Sequence, residues 1–206
     1  MGKPAIVILA AGMGKRMKSG RAKVLHEISG KPMIMYIVEM AEKVAGNDVV
    51  IVIGNQADKV RKVVSENDHV IFALQKDQLG TGHAVSCALP YLPDHTKEVI
   101  ILCGDVPLLT FETVMRLLKD HIMAKRDISL LAVTIDNPKG YGRVLFDENR
   151  NVSGIVEEVD ASAKQKRIKT IKIIIIRPKE DSNQVISLSY PGPLGSEVFS
   201  PSLTSM

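Results

Sequence analysis

Short, continuously apolar runs alternate along this chain with stretches in which apolar residues recur at helical spacing. Runs that lack a polar face and are rich in β-branched residues are typical of parallel strands covered by helices on both sides. The runs occupy residues 6–9, 49–53, 70–74, 99–102 and 128–134. The helical stretches lie within residues 34–44, 57–64, 84–89 and 114–122. The alternation predicts an α/β fold, a Rossmann-like and mostly parallel sheet with helices on both faces.

After about Tyr141 the pattern changes to two extended segments, residues 144–146 and 152–156, with a turn near residues 148–151 between them. Sheets of the predicted class bind their ligands at the carboxyl ends of the strands. The residues that directly follow the apolar runs are therefore expected to carry the chemistry.

The first apolar run ends at Leu9 and continues into Ala10, Ala11 and Gly12, which are small enough for a ligand to lie on the backbone. Gly14 allows a turn. Five cations cluster around that turn, at Lys15, Arg16, Lys18, Arg21 and Lys23. Accessible main-chain N–H groups beside cations favour a phosphate ester, and a nucleotide in particular. The alternative is an ordinary turn whose basic residues are only solvated. The loop lacks the third glycine of a dinucleotide fingerprint and the Gly-Lys-Ser/Thr ending of a P-loop.

Two further motifs follow later runs. Gln75 offers a donor and an acceptor side by side that could read the edge of a pyrimidine. Gly80 and Thr81 open a helix whose first N–H groups lack partners, although Thr81 could equally serve as a helix cap. Asp105, in G-D-V-P-L-L, lies where a carboxylate could hold Mg²⁺ together with substrate phosphates. An ordinary turn aspartate is the alternative there.

The last motif combines G-Y-G-R-V at residues 140–144 with I-V-E-E-V-D-A at residues 155–161. A glycine such as Gly142 lets the chain approach a sugar ring closely. A carboxylate such as that of Glu157 can accept hydrogen bonds from sugar hydroxyls. The alternative is a plain hairpin followed by a solvated acidic patch.

The stretch L-A-A-G-M-G-K-R-M at residues 9–17, followed by K-V-L-H at residues 23–26, closely resembles the sugar-nucleotide pyrophosphorylases. Within them it is most similar to the uridylyltransferase part of the bacterial N-acetylglucosamine-1-phosphate uridylyltransferases. Ala22 stands where this family usually has proline. The resemblance implies a Mg²⁺-dependent enzyme that converts UTP and N-acetylglucosamine 1-phosphate into UDP-N-acetylglucosamine and pyrophosphate. That product serves peptidoglycan and lipopolysaccharide synthesis in the family.

The resemblance also implies a role for each matching position. Arg16 would hold the leaving pyrophosphate, Lys23 the α-phosphate, and Asp105 the Mg²⁺ ion. The nucleotide would contact Leu9, Ala10, Ala11, Gly12, Lys23, Gln75, Gly80 and Thr81. The amino-sugar phosphate would contact Gly142 and Glu157.

The resemblance covers residues 3–169 and then fails. Relatives continue with Glu-Ile-Asn-Thr-Gly, whose asparagine contacts the sugar, whereas residues 170–174 read Thr-Ile-Lys-Ile-Ile. A later asparagine that completes the Mg²⁺ site and a β-helix acetyltransferase domain are also not found. We therefore expect a nucleotidyltransferase domain over residues 1–169, incomplete relative to the family, and a divergent, flexible tail over residues 170–206. An inactive nucleotide-binding fragment and a nucleotidyltransferase for another sugar 1-phosphate remain as alternatives.

Composition bears on the partners. The net charge of +4 suits anionic small molecules as well as nucleic acid, but only 4% of residues are aromatic, which argues against single-strand binding. Cys87 and Cys103 are isolated, which favours a reducing compartment. Charged residues interrupt the first apolar run too early for a signal peptide, and the run at residues 173–176 is too short to cross a bilayer. We expect a cytoplasmic protein with small-molecule substrates and no nucleic-acid or membrane partner; the oligomeric state is not predicted.

Overall fold

The computed structural model describes residues 3–12, 14, 17, 19–65, 69–148, 152–156, 158 and 160–176. These residues form two compact units, one of residues up to 129 together with 174–176, the other of residues 130–173. The strands are β1 (Ala5–Leu9), β2 (Glu27–Ile28), β3 (Lys31–Pro32), β4 (Val49–Ile53), β5 (Ile71–Leu74), β6 (Val99–Cys103), β7 (Ile128–Thr134), β8 (Arg143–Phe146), β9 (Val152–Val156) and β10 (Thr170–Ile176). The helices are α1 (Met33–Ala45), α2 (Ala57–Val64), α3 (Thr81–Ala88) and α4 (Phe111–Met123).

In the first unit, four strands form a parallel sheet in the order β5, β4, β1, β6. Ile8 in the middle of β1 lies opposite Ile51 on one side and Leu102 on the other. All five residues of β4 are buried, as a continuously apolar strand requires. β5 is the edge strand, and Ile71 and Leu74 on it are partly exposed. The predicted parallel α/β sheet is confirmed, with fuller burial at its centre than at its edge.

Successive residues of the central strands serve opposite faces of the sheet. Val7, Val52 and Ile101 belong to a core that includes Ala84 and Val85 of α3. The alternate positions of these strands are also buried and face the other side, where α1 packs on β1 and β4 and contacts α4. Each fully buried aliphatic side chain contributes about 1.5–3 kcal/mol through removal from water. Helices therefore cover both faces, as the sequence predicts.

The second unit contains an antiparallel hairpin of β8 and β9 in which Val144 lies opposite Ile155. The register shifts between Leu145 and Phe146, which marks a bulge. β7 and β10 are neighbouring strands, and the N–H of Ile135 just after β7 donates to the carbonyl of Lys169 just before β10, at 3.0 Å. The two predicted extended segments thus form one hairpin.

The expectation of a flexible tail from residue 170 is wrong for its first seven residues, because they form β10. Ile174, Ile175 and Ile176 pair antiparallel with Ile101, Ile100 and Val99 of β6. The backbone of this β-branched run pairs with N–H and C=O groups that the edge of β6 would otherwise leave unpaired. The rest of the predicted tail, residues 177–206, lies outside the described residues. Across the described part of the chain, every helix is too short or too polar to traverse a bilayer.

Candidate active site

The loop after β1 buries two alanine side chains and leaves Gly12 exposed. Ala10 and Ala11 are buried, while Gly12 is exposed, and a side chain added at Gly12 would meet no atom within 4 Å. The N–H of Ala10 donates to the carbonyl of Val52 at 2.8 Å, which continues the sheet one residue past β1. The N–H groups of Ala11 and Gly12 donate to no acceptor among the described residues. This backbone is open to an anionic ligand.

Gly14 brings Lys23 to the same loop. Its φ of +58° is a left-handed conformation that favours glycine, and a Cβ added there would lie only 2.8 Å from Cβ of Lys23. Lys23 begins a 3-10 turn, Lys23–Leu25, which is fixed by the buried side chains of Val24 and Leu25. The lysine backbone is therefore held against the loop by packing on one side and by a glycine on the other.

The Nζ of Lys23 forms an ion pair with Oδ2 of Asp105. Both side chains are about one-quarter exposed, at 25% and 26%. Asp105 is placed by Gly104, whose N–H donates to the carbonyl of Leu9 at 2.9 Å and whose added Cβ would crowd that oxygen and Val24. The two residues are 82 positions apart in the chain, and the pairing of β1 with β6 brings them together at the carboxyl ends of these strands.

A second set of contacts connects this loop to the segment after β5. The carbonyl of Ala11 accepts hydrogen bonds from Nε2 of Gln78 at 2.8 Å and from the N–H of Asn55 at 3.3 Å. A Cβ added to Gly54 would lie 2.9 Å from Cβ of Ala11 and 3.0 Å from the carbonyl oxygen of Gln75. The ends of β1, β4 and β5 are therefore in direct contact.

Gln75 is buried, and its carboxamide nitrogen is already engaged. Nε2 donates to the carbonyl of Gly80 at 3.1 Å and lies 3.1 Å from Nδ1 of His83. Its Oε1 accepts no hydrogen bond from the described residues, so the oxygen is the atom that a ligand could engage. Gly80, with φ of +101°, precedes α3, and no side chain caps this helix. Thr81 is the first helical residue, so the alternative that Thr81 caps α3 is not observed.

In the second unit, the loop before β8 is held by a buried arginine. Arg143 is 1% exposed, and its guanidinium donates to the carbonyl of Tyr141, to Oε2 of Glu158 at 2.7 Å and to the carbonyl of Lys166 at 3.3 Å. The Arg143 guanidinium, together with the N–H of Gly140, holds the pKa of the Glu158 carboxyl below its ordinary value. Gly142 lies between Tyr141 and Arg143, which are joined by the guanidinium–carbonyl hydrogen bond, and it is half-buried.

The predicted site residues divide accordingly. The structure brings together, at the carboxyl ends of β1, β5 and β6, Leu9, Ala10, Ala11, Gly12, Lys23, Gln75, Gly80, Thr81 and Asp105. Gly142 lies in the second unit. Arg16 and Glu157, and with them Lys15 and Lys18, lie outside the described residues.

Sequence reasoning missed Gln78, Gly54 and Arg143. Gln78 lies between two predicted site residues, Gln75 and Gly80, and only the fold shows that its amide reaches Ala11. Gly54 directly follows an apolar strand, which is the signal that could have identified it. Arg143 directly precedes the predicted extended segment 144–146, and a charged residue beside an apolar run can signal a buried, paired group.

Asp105 decides how a metal could be held. Its carboxylate already faces a cation, the Lys23 ammonium group. Among the described residues, no group of three His, Cys, Asp or Glu side chains is placed to hold a metal ion. Mg²⁺ commonly uses one or two protein carboxylates and completes its shell with water and substrate phosphates. The donor set therefore fits Mg²⁺ shared with a nucleotide and does not fit a cage built from protein alone.

A cavity of about 300 Å³ lies elsewhere in the first unit, and none of the predicted site residues lines it. Its wall includes Tyr36 and Lys43 of α1 and Phe111 and Glu112 of α4. The strand-end site, defined by Ala11, Gly12, Lys23 and Asp105, lies apart from this cavity and combines small residues with a cation and a carboxylate.

A family model described as the MobA-like NTP transferase domain matches residues 6–168. The chain belongs to this family. It therefore carries a nucleotidyltransferase domain, and the match contains both the strand-end site and the loop before Arg143. The match ends at residue 168, one residue before the last residue that the motif resemblance covers.

Curated relatives extend the likeness. The chain is 45% identical over 171 residues to the bifunctional protein GlmU of Geotalea daltonii, covering 83% of this chain and 37% of that protein. It is 47% identical over 165 residues to the bifunctional protein GlmU of Caldanaerobacter subterraneus, covering 80% of this chain and 35% of that protein. The chain thus spans little more than a third of the length of these relatives.

Solved structures share the fold. HddC from Yersinia pseudotuberculosis aligns with a TM-score of 0.63 alone and 0.62 in complex with GMP-PN, at 22% and 23% identity. Each alignment covers 84% of this chain and 76% of HddC. At that identity the likeness establishes the fold alone.

Proposed function

We propose that this chain transfers a uridylyl group from UTP to N-acetylglucosamine 1-phosphate, giving UDP-N-acetylglucosamine and pyrophosphate. The observation that carries the proposal is the Lys23–Asp105 ion pair beside the open backbone of Ala11 and Gly12. A cation, a carboxylate and N–H groups that find no acceptor among the described residues together suit a triphosphate and its metal. The motif resemblance to the N-acetylglucosamine-1-phosphate uridylyltransferases supports the choice of nucleotide and sugar, and the GlmU likeness supports nucleotidyl transfer to a sugar phosphate.

The reaction requires little covalent chemistry from the protein. An oxygen of the sugar phosphate attacks the α-phosphorus of UTP, a new O–P bond forms, and the bond to the bridging α–β oxygen breaks. The attacking oxygen is already anionic, so no general base is needed, and the electron pair leaves with pyrophosphate. Positioning and charge neutralisation therefore supply the acceleration.

Each residue then has a role in the proposal. Lys23 neutralises the α-phosphate, and the N–H groups of Ala11 and Gly12 donate to phosphate oxygens. Gln75 and the Gly80–Thr81 turn hold the base and ribose, and Arg16 holds the leaving pyrophosphate. Asp105 would hold Mg²⁺, which when bound neutralises the charge of the phosphates. Gly142 and Glu157 contact the amino-sugar phosphate.

Pyrophosphate release tests the proposal. Purified chain is incubated with UTP, Mg²⁺ and, in separate reactions, N-acetylglucosamine 1-phosphate, glucose 1-phosphate or no acceptor. Release that requires the amino sugar is the expected result. Release with glucose 1-phosphate alone, or with another nucleoside triphosphate in preference to UTP, would reassign the substrate.

A second candidate is UTP binding without turnover. It is favoured by the replacement of the expected Glu-Ile-Asn-Thr-Gly by the apolar residues of β10. Losing one preorganised contact to developing charge costs about 10²–10³ in rate. Calorimetric UTP binding without any pyrophosphate release would establish this candidate and reject the first.

Cytoplasmic location and the absence of nucleic-acid and membrane partners remain predictions. Fractionation of the producing cells checks the location. Binding assays with single-stranded oligonucleotides and with anionic vesicles check the partners, and we expect no binding to either.

A further inference from the structure

The guanidinium of Arg143 connects the two segments that the proposed function assigns to the sugar. It donates to the carbonyl of Tyr141, immediately before Gly142, and to the carboxylate of Glu158, immediately after Glu157. A third contact reaches the carbonyl of Lys166. Three contacts from one planar group define its orientation.

The acceptor side of this arrangement is equally committed. The Glu158 carboxylate accepts from the Arg143 guanidinium, and the N–H of Gly140 lies near enough to help lower its pKa. Gly140 has φ of +81°, which turns the chain at the start of the loop. The loop of residues 140–142 is therefore fixed at Tyr141 by Arg143, with Gly140 beside the Glu158 carboxylate.

The arrangement is poorly explained as a device for stability. Nε of Arg143 is buried and has no hydrogen-bond partner among the described residues. An unpaired buried donor is costly, and buried ion pairs are often no better for stability than apolar residues of similar size. What a forked guanidinium supplies that an apolar side chain cannot is a fixed separation between a carbonyl and a carboxylate.

We infer that Arg143 is a positioning residue that holds the loop of residues 140–142 and the segment at Glu158 in one arrangement, and so sets the affinity for the sugar phosphate. The inference rests on the proposed function for the identity of that ligand. The part that concerns the loop does not depend on it.

The test compares Arg143→Gln, Arg143→Lys and Glu158→Gln in the full chain, with Arg167→Gln as the matched control. Arg167 lies on an exposed turn of the same unit. Amide hydrogen exchange at Gly140 and Tyr141 is the first readout, with the amides of β8 and β9 as internal references. We expect exchange about tenfold faster in Arg143→Gln, a smaller increase in the other two variants, and none in the control.

The second readout is the pair of KM values. We expect Arg143→Gln to raise KM for the sugar 1-phosphate about tenfold and to leave KM for UTP unchanged. Arg143→Lys should recover part of the loss, because an ammonium group can keep one of the contacts. A structural defect without positioning would alter both KM values together or only kcat.

Three outcomes for Arg143→Gln overturn the inference. They are unchanged exchange at Gly140 and Tyr141, equal changes in the two KM values, and changes in both readouts no larger than those of Arg167→Gln. If Arg143→Gln fails to fold, Glu158→Gln carries both readouts, because it keeps the guanidinium and removes only its charged partner. If the unaltered chain releases no pyrophosphate, the proposed function fails, and the exchange readout alone then supports or overturns the positioning role.

Discussion

The ion pairs Lys23–Asp105 and Arg143–Glu158 each join a cation to a carboxylate near a strand end, but they are built differently. Among the described residues, Lys23 makes one side-chain ion pair, and both partners are about one-quarter exposed. Arg143 is 1% exposed and makes three contacts, two of them to backbone carbonyls. A strongly hydrated ammonium with one partner can exchange that partner for a phosphate, whereas a buried guanidinium with three cannot.

The difference indicates which charges a ligand can use. In the first unit the backbone beside the pair is closely packed, since a Cβ added at Gly14 would lie 2.8 Å from Cβ of Lys23 and one added at Gly104 would lie 3.2 Å from Val24. The charges themselves remain partly accessible. In the second unit the Arg143 guanidinium already binds two backbone carbonyls and the Glu158 carboxylate. We therefore expect changes at the first pair to act on chemistry and changes at the second to act on geometry and on acid stability.

The most severe loss should follow Asp105→Asn. The amide keeps the shape but removes the negative charge that faces Lys23 and the proposed Mg²⁺, so pyrophosphate release should fall by about 10²–10³-fold. The free energy of unfolding should change by less than about 1 kcal/mol, because the pair is partly exposed. Initial rates and urea unfolding measure the two quantities.

Asp127→Asn is the matched control for this variant, since Asp127 is exposed in the same unit. It should leave the rate unchanged. A rate for Asp105→Asn within threefold of the parent chain would remove the metal role from Asp105 and, with it, the distinction between the two ion pairs.

Gly14→Ala should produce a loss of about tenfold to a hundredfold in rate without any change of charge. The methyl group would lie 2.8 Å from Cβ of Lys23 in a left-handed conformation, so the lysine must move. Displacements of about 1 Å at a reacting centre can cost about 10²-fold. Gly20→Ala is the control, because its added Cβ meets nothing within 4 Å. Equal rates for the two variants would show that the backbone of Lys23 is not held as described.

The sheet was predictable from the sequence because its central strands are buried on both faces and therefore have no polar residues. β10 was not, for the opposite reason: residues 170–176 contain Lys172, and they follow the point where the motif resemblance stops. Pairing of Ile175 with Ile100 depends on which strand edge is left open, and only the assembled sheet shows that. The small hairpin of β2 and β3 is two residues per strand, too short for any alternation to be visible.

The placement of candidate residues was predictable where motifs lie directly after strands, as at Ala11 and Asp105. It was not predictable where contacts cross the fold. Gln75 was expected to present its whole amide to a base, yet its nitrogen is committed to Gly80 and His83, since a buried donor must find an acceptor. The contact between Gln78 and Ala11 joins residues 67 positions apart, and no local pattern encodes it.

A third polar group extends the comparison to complete burial. Nδ1 of His121 lies 2.9 Å from Oγ of Ser129, and Nε2 lies 3.0 Å from Oε2 of Glu98. His121 is 0% exposed and Ser129 5%, so this Ser-His-Glu series cannot admit a substrate and is structural. His121→Ala should lower the free energy of unfolding by about 3 kcal/mol, through a cavity and the loss of both hydrogen bonds, with UTP binding unchanged. Chemical denaturation and calorimetry measure these. Weaker UTP binding by a folded His121→Ala would contradict the separation of structural from functional charge.

The smallest predicted effect is an acid-dependent one at Glu158. Because the folded-state pKa of this carboxyl is lowered, chiefly by the hydrogen bond from Arg143 and then by the N–H of Gly140, the group stabilises the folded chain at neutral pH. That contribution is fully present above about pH 4.5, the ordinary pKa of a glutamate, and is lost as the pH falls through the lower folded-state value.

Glu158→Gln cannot titrate, so its unfolding free energy should decline less steeply than that of the parent chain below pH 4.5. Urea unfolding of the two proteins between pH 3 and pH 7 measures the difference in slope. Parallel slopes over that range would mean that folding does not lower the pKa of Glu158. The Arg143–Glu158 pair would then contribute as little to stability as the partly exposed Lys23–Asp105 pair.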